Sequence, residues 1–110
     1  MEIRKSLDVG LLNDYYGSLL TEHQSEIVAL YYDLDLSLAE IAERYGISRQ
    51  AVRDVLVRTE QKLKEYEASL GLVGKLSKLT AELEALSEGK EDGETVRARL
   101  KEIIREVKEI

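Results

Sequence analysis

Between residues 48 and 64 five basic side chains, Arg49, Arg53, Arg58, Lys62 and Lys64, meet only two acids, Asp54 and Glu60. The stretch carries a charge of +3 inside a chain of net charge -6. If it is one helix with Ala51, Val52, Val55 and Leu56 turned inward, then Arg49, Gln50, Arg53 and Val57 fall on the solvent-facing side. Those residue types suit the major groove of DNA, where an arginine fork pairs with guanine O6 and N7 and a glutamine amide pairs with adenine. Arg58 and Lys62, farther along, are placed to touch phosphate, which adds affinity but reads no sequence. The candidate nucleic-acid-binding set is therefore Ser48, Arg49, Gln50, Arg53, Arg58 and Lys62. Asp54 lies beside the same face and is expected to weaken binding by repelling phosphate. The competing reading is a solvated surface, with charges paired locally as Glu60 and Lys64 are spaced to do.

Other chemistries lack their residues. His23 is the only histidine and there are no cysteines, so neither a zinc site nor a disulfide framework is available. Gly71-Leu-Val-Gly-Lys75 has two residues between its glycines where a phosphate loop needs four. Glu40 and Glu43 sit on a short helix with no apolar pocket to separate their pKa values. No enzyme activity, cofactor or metal is expected. With 35% charged residues and an acidic balance, the chain is also not a general polyanion binder.

The elements that must position this face are helical. Proline is absent and Leu, Glu, Ala, Lys and Arg dominate. A first helix is expected over about residues 4–19, with Leu7, Leu11, Leu12, Tyr15 and Leu19 as its apolar stripe. Thr21 and Gln24 form a capping box for a second helix, to about Asp33, and Ser37 with Glu40 form another for a short third one. Gly46 stops that helix and Ser48 caps the next, which meets no strong breaker before Gly71. Residues 38–58 fit a helix-turn-helix: Ala42 is small where the helices meet, Gly46 turns, Ile41, Tyr45 and Ile47 are apolar, and Val52 and Val55 give the second helix its buried stripe. Tyr15, Tyr16, Tyr31 and Tyr32 read as packing residues, and His23 as an exposed helix-start residue.

The last forty residues or so differ. Leu72, Leu76, Leu79, Leu83 and Leu86 recur at 4,3,4,3 spacing, as do Val96, Leu100, Ile103, Val107 and Ile110, with a polar loop over residues 87–93. Two amphipathic helices follow, either folding back on the domain's own core or forming a dimer or partner interface. The seam from Val96 to Ile110 favours a homodimer. Six helices are expected, broken near residues 20, 35, 46, 71 and 90. The division is a helix-turn-helix domain at 1–70 and a helical extension at 71–110.

The run Leu19-Leu-Thr, Tyr31-Tyr-Asp-Leu-Asp-Leu-Ser-Leu-Ala-Glu-Ile-Ala, Ser48-Arg-Gln-Ala-Val, Arg58-Thr-Glu and Glu65-Tyr-Glu resembles the YlxM family of small bacterial helix-turn-helix proteins. The resemblance covers roughly residues 11–72. It departs from the pattern at Arg53, where an aromatic residue is expected, and in the tail, which reads as a lineage-specific addition. It implies an all-α, sigma-factor region-four-like helix-turn-helix domain with a C-terminal helical hairpin. Members are typically encoded beside the signal recognition particle GTPase Ffh or its receptor, so the resemblance implies a part in that targeting pathway or its regulation.

Three functional readings follow. In the first, the chain is a nucleic-acid-binding regulatory or accessory protein that contacts DNA or the signal recognition particle RNA. In the second it is a protein-binding adaptor that docks on Ffh, its receptor or the ribosome without touching nucleic acid. A structural dimer with no ligand of its own is a third. No apolar run reaches signal-peptide or membrane-span length, so a cytoplasmic location and no membrane contact are expected.

Overall fold

The computed structural model describes residues 7–110. It contains six α-helices and, among the described residues, no strand. They are α1 (Leu7–Tyr16), α2 (Glu22–Val28), α3 (Leu38–Tyr45), α4 (Arg49–Leu70), α5 (Leu72–Ser87) and α6 (Gly93–Lys108). The chain divides into two compact units, one ending at Gly71 and the other comprising Leu72–Ile110.

In the first unit α4 is the spine, against which α1, α2 and α3 all pack. Val52, Leu56, Thr59 and Leu63 of α4 are buried, at the i, i+4, i+7, i+11 spacing of one helix face. They share the core with Val9, Leu12 and Tyr16 of α1, Ile27 and Val28 of α2, and Ile41 and Ala42 of α3. Local chemistry sets the ends. Both capping boxes form: Gln24 N–H donates to Thr21 Oγ1 at 3.1 Å and Glu40 N–H to Ser37 Oγ at 3.1 Å, each with the reciprocal bond. Gly71 closes α4 in the left-handed conformation at φ 60°.

α1 corrects the expected stripe. Leu12 is buried as expected, but Leu11, Tyr15 and Leu19 are exposed, and Leu12 shares the buried face with Val9, Asn13 and Tyr16. The helix ends at Tyr16, followed by a 3-10 turn, Gly17–Leu19, and Arg4 to Ser6 of the expected first helix lie outside the described residues. An asparagine is accepted in the buried row because its amide is satisfied there. Asn13 Nδ2 donates to Ser25 O at 3.2 Å, and Ser25 Oγ donates to Asn13 Oδ1 at 3.1 Å. Tyr16 and Tyr31 are buried and Tyr32 half-buried, as packing residues should be, whereas Tyr15 faces solvent.

α2 continues into a π-helical turn, Ala29–Asp33. Leu34 N–H reaches back five residues to Ala29 O at 3.1 Å, Leu36 N–H bonds Leu30 O at 3.0 Å, and Asp35 turns the chain at φ 59°. α1 packs against this turn. The approach is close at Gly10, where a Cβ would lie 2.8 Å from Asp33 Oδ1.

Among the described residues one buried side-chain polar atom is unsatisfied. Thr59 is fully buried and its hydroxyl has no hydrogen-bond partner. Thr59→Val removes the desolvated hydroxyl at nearly constant volume, so it is expected to raise stability by about 1 kcal/mol. The denaturant midpoint at unchanged m-value measures this; a loss of stability would show that the hydroxyl is bonded.

The second unit is a two-helix hairpin of α5 and α6. Asp92 caps α6, accepting from Thr95 N–H at 2.7 Å, and this backbone bond holds the Asp92 carboxyl below its usual range. Lys78 Nζ stands 3.9 Å from Glu106 Oε2 between the helices. Only Leu79 and Ile103 are buried, whereas Leu83 is 45%, Leu100 37%, Ile104 53% and Val107 52% exposed.

Candidate nucleic-acid interface

The turn between α3 and α4 is built by three residues. Gly46 takes φ 64°, a left-handed conformation that side chains other than glycine adopt at a cost. Its N–H bonds the carbonyls of Ala42 and Glu43, and Ile47 N–H bonds Ala42 O at 3.1 Å. Ser48 then caps α4, its Oγ accepting from Ala51 N–H at 3.0 Å. The first turn of α4 is thereby held against α3 in the helix-turn-helix arrangement, with Ile41, Ala42 and Val52 buried.

Each candidate side chain has a definite place. Ser48, Arg49, Gln50, Arg58 and Lys62 are exposed, and Arg53 is half-buried. Ser48 Oγ is occupied as an acceptor, which leaves its hydroxyl hydrogen for an outside partner. Ala51 and Val55, expected to turn inward, are half-buried, so the inward face is narrower there and rests on Val52 and Leu56, whereas Val57, expected to face solvent, is half-buried as well.

The cations do not form one patch. Arg49 and Arg58 are nine residues apart, as are Arg53 and Lys62, which at 3.6 residues per turn places each pair about 180° apart around the axis. Arg49 and Arg53 lie on one flank of the exposed face, Arg58 and Lys62 on the other. Gln50, Asp54 and Gln61 occupy the strip between. The middle of the face is polar and its margins are positive, the distribution expected of a helix seated in a groove between two phosphate strands.

Electrostatic partners separate these cations from their neighbour. Lys64 Nζ pairs with Glu60 Oε1 at 2.9 Å, so the local pairing expected from the sequence exists. Among the described residues Arg49, Arg53, Arg58 and Lys62 form no salt bridge. Two glutamates of α4 are instead held by tyrosines of the preceding helical segments. Tyr16 Oη donates to Glu67, and Tyr32 Oη donates to Glu60 Oε2 at 3.3 Å. Burial first, then the Glu60 charge, pushes the Tyr32 phenol well above its usual range, keeping it a donor. These bonds tie α4 to the helices beneath it. A third, Tyr45 Oη to Glu26 Oε2 at 3.1 Å, links α3 to α2, and the exposed His23 ring meets Tyr45 edge-on at 5.1 Å.

One feature of the face escaped the sequence reading. Gln50 Nε2 donates to Asp54 Oδ1 at 2.9 Å. The signal was present, since glutamine and aspartate four residues apart on a helix are close enough to bond. Among the described residues no group of three or more His, Asp or Glu side chains is placed to hold a metal ion. None of the described helices is long and apolar enough to cross a membrane.

Comparison with known proteins places this geometry in a family. Residues 3–103 match the UPF0122 family, described as "Putative helix-turn-helix protein, YlxM / p13 like". A UPF0122 protein of Desulforamulus reducens is 56% identical over 89 residues, 78% of this chain and 76% of its own. One from Halalkalibacterium halodurans is 49% identical over 84 residues, 76% and 77% of the two chains. One from Geobacillus kaustophilus is 40% identical over 108 residues, 98% of each. These matches extend beyond Leu72 and correct the reading of the tail as a lineage-specific addition. With a left-handed glycine between two capped helices and a match over nearly its whole length, the chain belongs to the YlxM/p13-like helix-turn-helix family.

Proposed function

We propose that the chain is a DNA-binding regulatory or accessory protein that seats α4 in the major groove. The observation that carries this reading is the face of α4 itself: Gln50 and Asp54 at the centre, and Arg49, Arg53, Arg58 and Lys62 without acidic partners at the margins. B-form DNA admits a helix in its major groove, whereas the A-form major groove of duplex RNA is too narrow, so DNA suits this geometry better than the signal recognition particle RNA. On the family resemblance alone, the process assisted or regulated is protein targeting by the signal recognition particle, with Ffh or its receptor as a protein partner.

The unit ending at Gly71 has thirteen acidic against eight basic residues, so affinity depends on local charge and falls steeply with salt. With three or four phosphates contacted, the log–log salt slope is expected near -3, from about -0.9 per phosphate. Arg58→Ala or Lys62→Ala should weaken binding to all duplexes alike and flatten the slope by about one unit. Gln50→Ala should chiefly reduce preference between sequences, by about 1–3 kcal/mol, whereas Arg49→Ala, at a margin, should weaken all duplexes as Arg58→Ala does. Fluorescence anisotropy on promoter-like duplexes and on the particle RNA measures both. If neither binds at low salt, or if a variant with all four residues replaced by alanine binds like the wild type, the adaptor reading takes over.

The hairpin supports a second element of the proposal, a homodimer. Heptad positions place Leu83 of α5 and Leu100, Ile104 and Val107 of α6 on one side of the pair, opposite Lys78 and Glu106. Two helices with two buried side chains make a meagre core, and a second hairpin laid on this face completes a four-helix bundle.

A further inference from the structure

Asp54 is the anomaly of the α4 face, an acid midway between two cationic margins on a surface that would meet phosphate. Its position is defined by Gln50, whose Nε2 donates to Asp54 Oδ1 at 2.9 Å. That bond uses one of the two N–H groups of the Gln50 amide and fixes the carboxylate. Asp54 has no donor of its own, so its Oδ2 stands at the centre of the face as an acceptor only.

The four bases differ in what they offer such a pair. Guanine shows two acceptors in the major groove, N7 and O6, and thymine shows O4. Adenine shows its N6 donor beside the N7 acceptor. Cytosine alone presents a donor, N4–H2, with no acceptor on its own edge. We infer that the Gln50–Asp54 pair is a cytosine-reading element, with Asp54 accepting from N4–H2 and Gln50 holding the carboxylate in position. This inference rests on the reading of α4 as a DNA-binding helix and names what that helix selects. It also accounts for an acid in this position. Asp54 weakens binding over every base that offers an acceptor and is compensated only over cytosine, so it lowers general affinity in exchange for discrimination.

The test is selection from a randomised duplex library by the wild type, Asp54→Ala, Asp54→Asn and Gln50→Ala, with affinities then measured on the selected site and on its single-base variants. The wild type is expected to fix cytosine at one position, with about a tenfold loss for any other base there. Asp54→Ala should bind unrelated duplexes more tightly than the wild type and lose the cytosine preference. Asp54→Asn, which offers a donor and an acceptor together, should move the preference at that position from cytosine to adenine. Gln50→Ala should weaken the cytosine preference while leaving its identity unchanged. Circular dichroism is expected to show all three variants folded, since both side chains are exposed. A wild type that binds duplex DNA without selecting cytosine, or an Asp54→Ala variant that still selects it, overturns the inference and leaves the DNA-binding reading standing. A wild type that binds no duplex at low salt, or binds RNA only, overturns both.

Discussion

Replacing Leu56 by alanine is expected to destabilise the helix-turn-helix unit by about 2–5 kcal/mol, about half of what a domain of this size has available. Leu56 is fully buried on α4, in the same row as Val52 and Leu63. Shortening it opens a cavity beneath the helix that carries the proposed DNA-binding residues. The core is assembled from four helices that all meet on α4, two of them, α2 and α3, only seven and eight residues long. Urea denaturation followed by circular dichroism gives the measurement, with Gln61→Ala as an exposed control expected to stay within about 0.5 kcal/mol. DNA binding by the Leu56 variant should fall in proportion to the folded fraction at each urea concentration. A midpoint shift no larger than that of the control would mean that α4 is not the spine of the core.

The second large effect is on mass. Sedimentation equilibrium of the wild type is expected to give twice the 12.5 kDa chain mass. Glu replacements at Ile104 and Val107 together should return it to the single-chain value. Both side chains are more than half exposed in one chain, so the substitutions disturb little within it. In a dimer each would place a carboxylate in an apolar interface without a partner, which is strongly unfavourable. A wild type that stays monomeric at high micromolar concentration refutes the dimer, as does a double variant that keeps twice the mass. Dimerisation would also double the DNA contacts, so the same variant should show a shallower salt slope on a site with two half-sites.

Much of the helix order was legible because its signals are local. A Thr or Ser with Gln or Glu three residues later satisfies backbone donors within a single turn, and both such boxes form at Thr21 and Ser37. Gly46 and Gly71 end their helices in left-handed geometry, and Ser48 begins α4. The break near residue 35 was visible too, but its form was not. A π-helical turn followed by a left-handed aspartate is set by the chain's reach back to Ala29 and Leu30 and by the packing of α1 over it. The exposure of most of the candidate side chains was likewise readable, from their spacing along one helix. Their division into two flanks follows from helical geometry. The bond between Gln50 and Asp54 follows from the same helical geometry, since residues four apart lie one above the other on one face.

By itself the sequence determined the all-helical class, the helix-turn-helix with its capped and glycine-closed ends, and the side chains available at the head of α4, because each depends on residues within about four positions of one another. Tertiary structure alone decided which face of α1 is buried. Leu7, Leu11, Tyr15 and Leu19 form as plausible a stripe as Val9, Leu12 and Tyr16, and nothing within α1 chooses between them. The choice comes from partners distant in the chain: Ser25 satisfies the inward Asn13, Glu67 accepts from the inward Tyr16, and Gly10 admits the π turn. Contacts across 12 to 51 residues outweigh the local pattern because burial and hydrogen bonding are summed over the assembled core, whereas apolar periodicity reports only what a single helix offers to it.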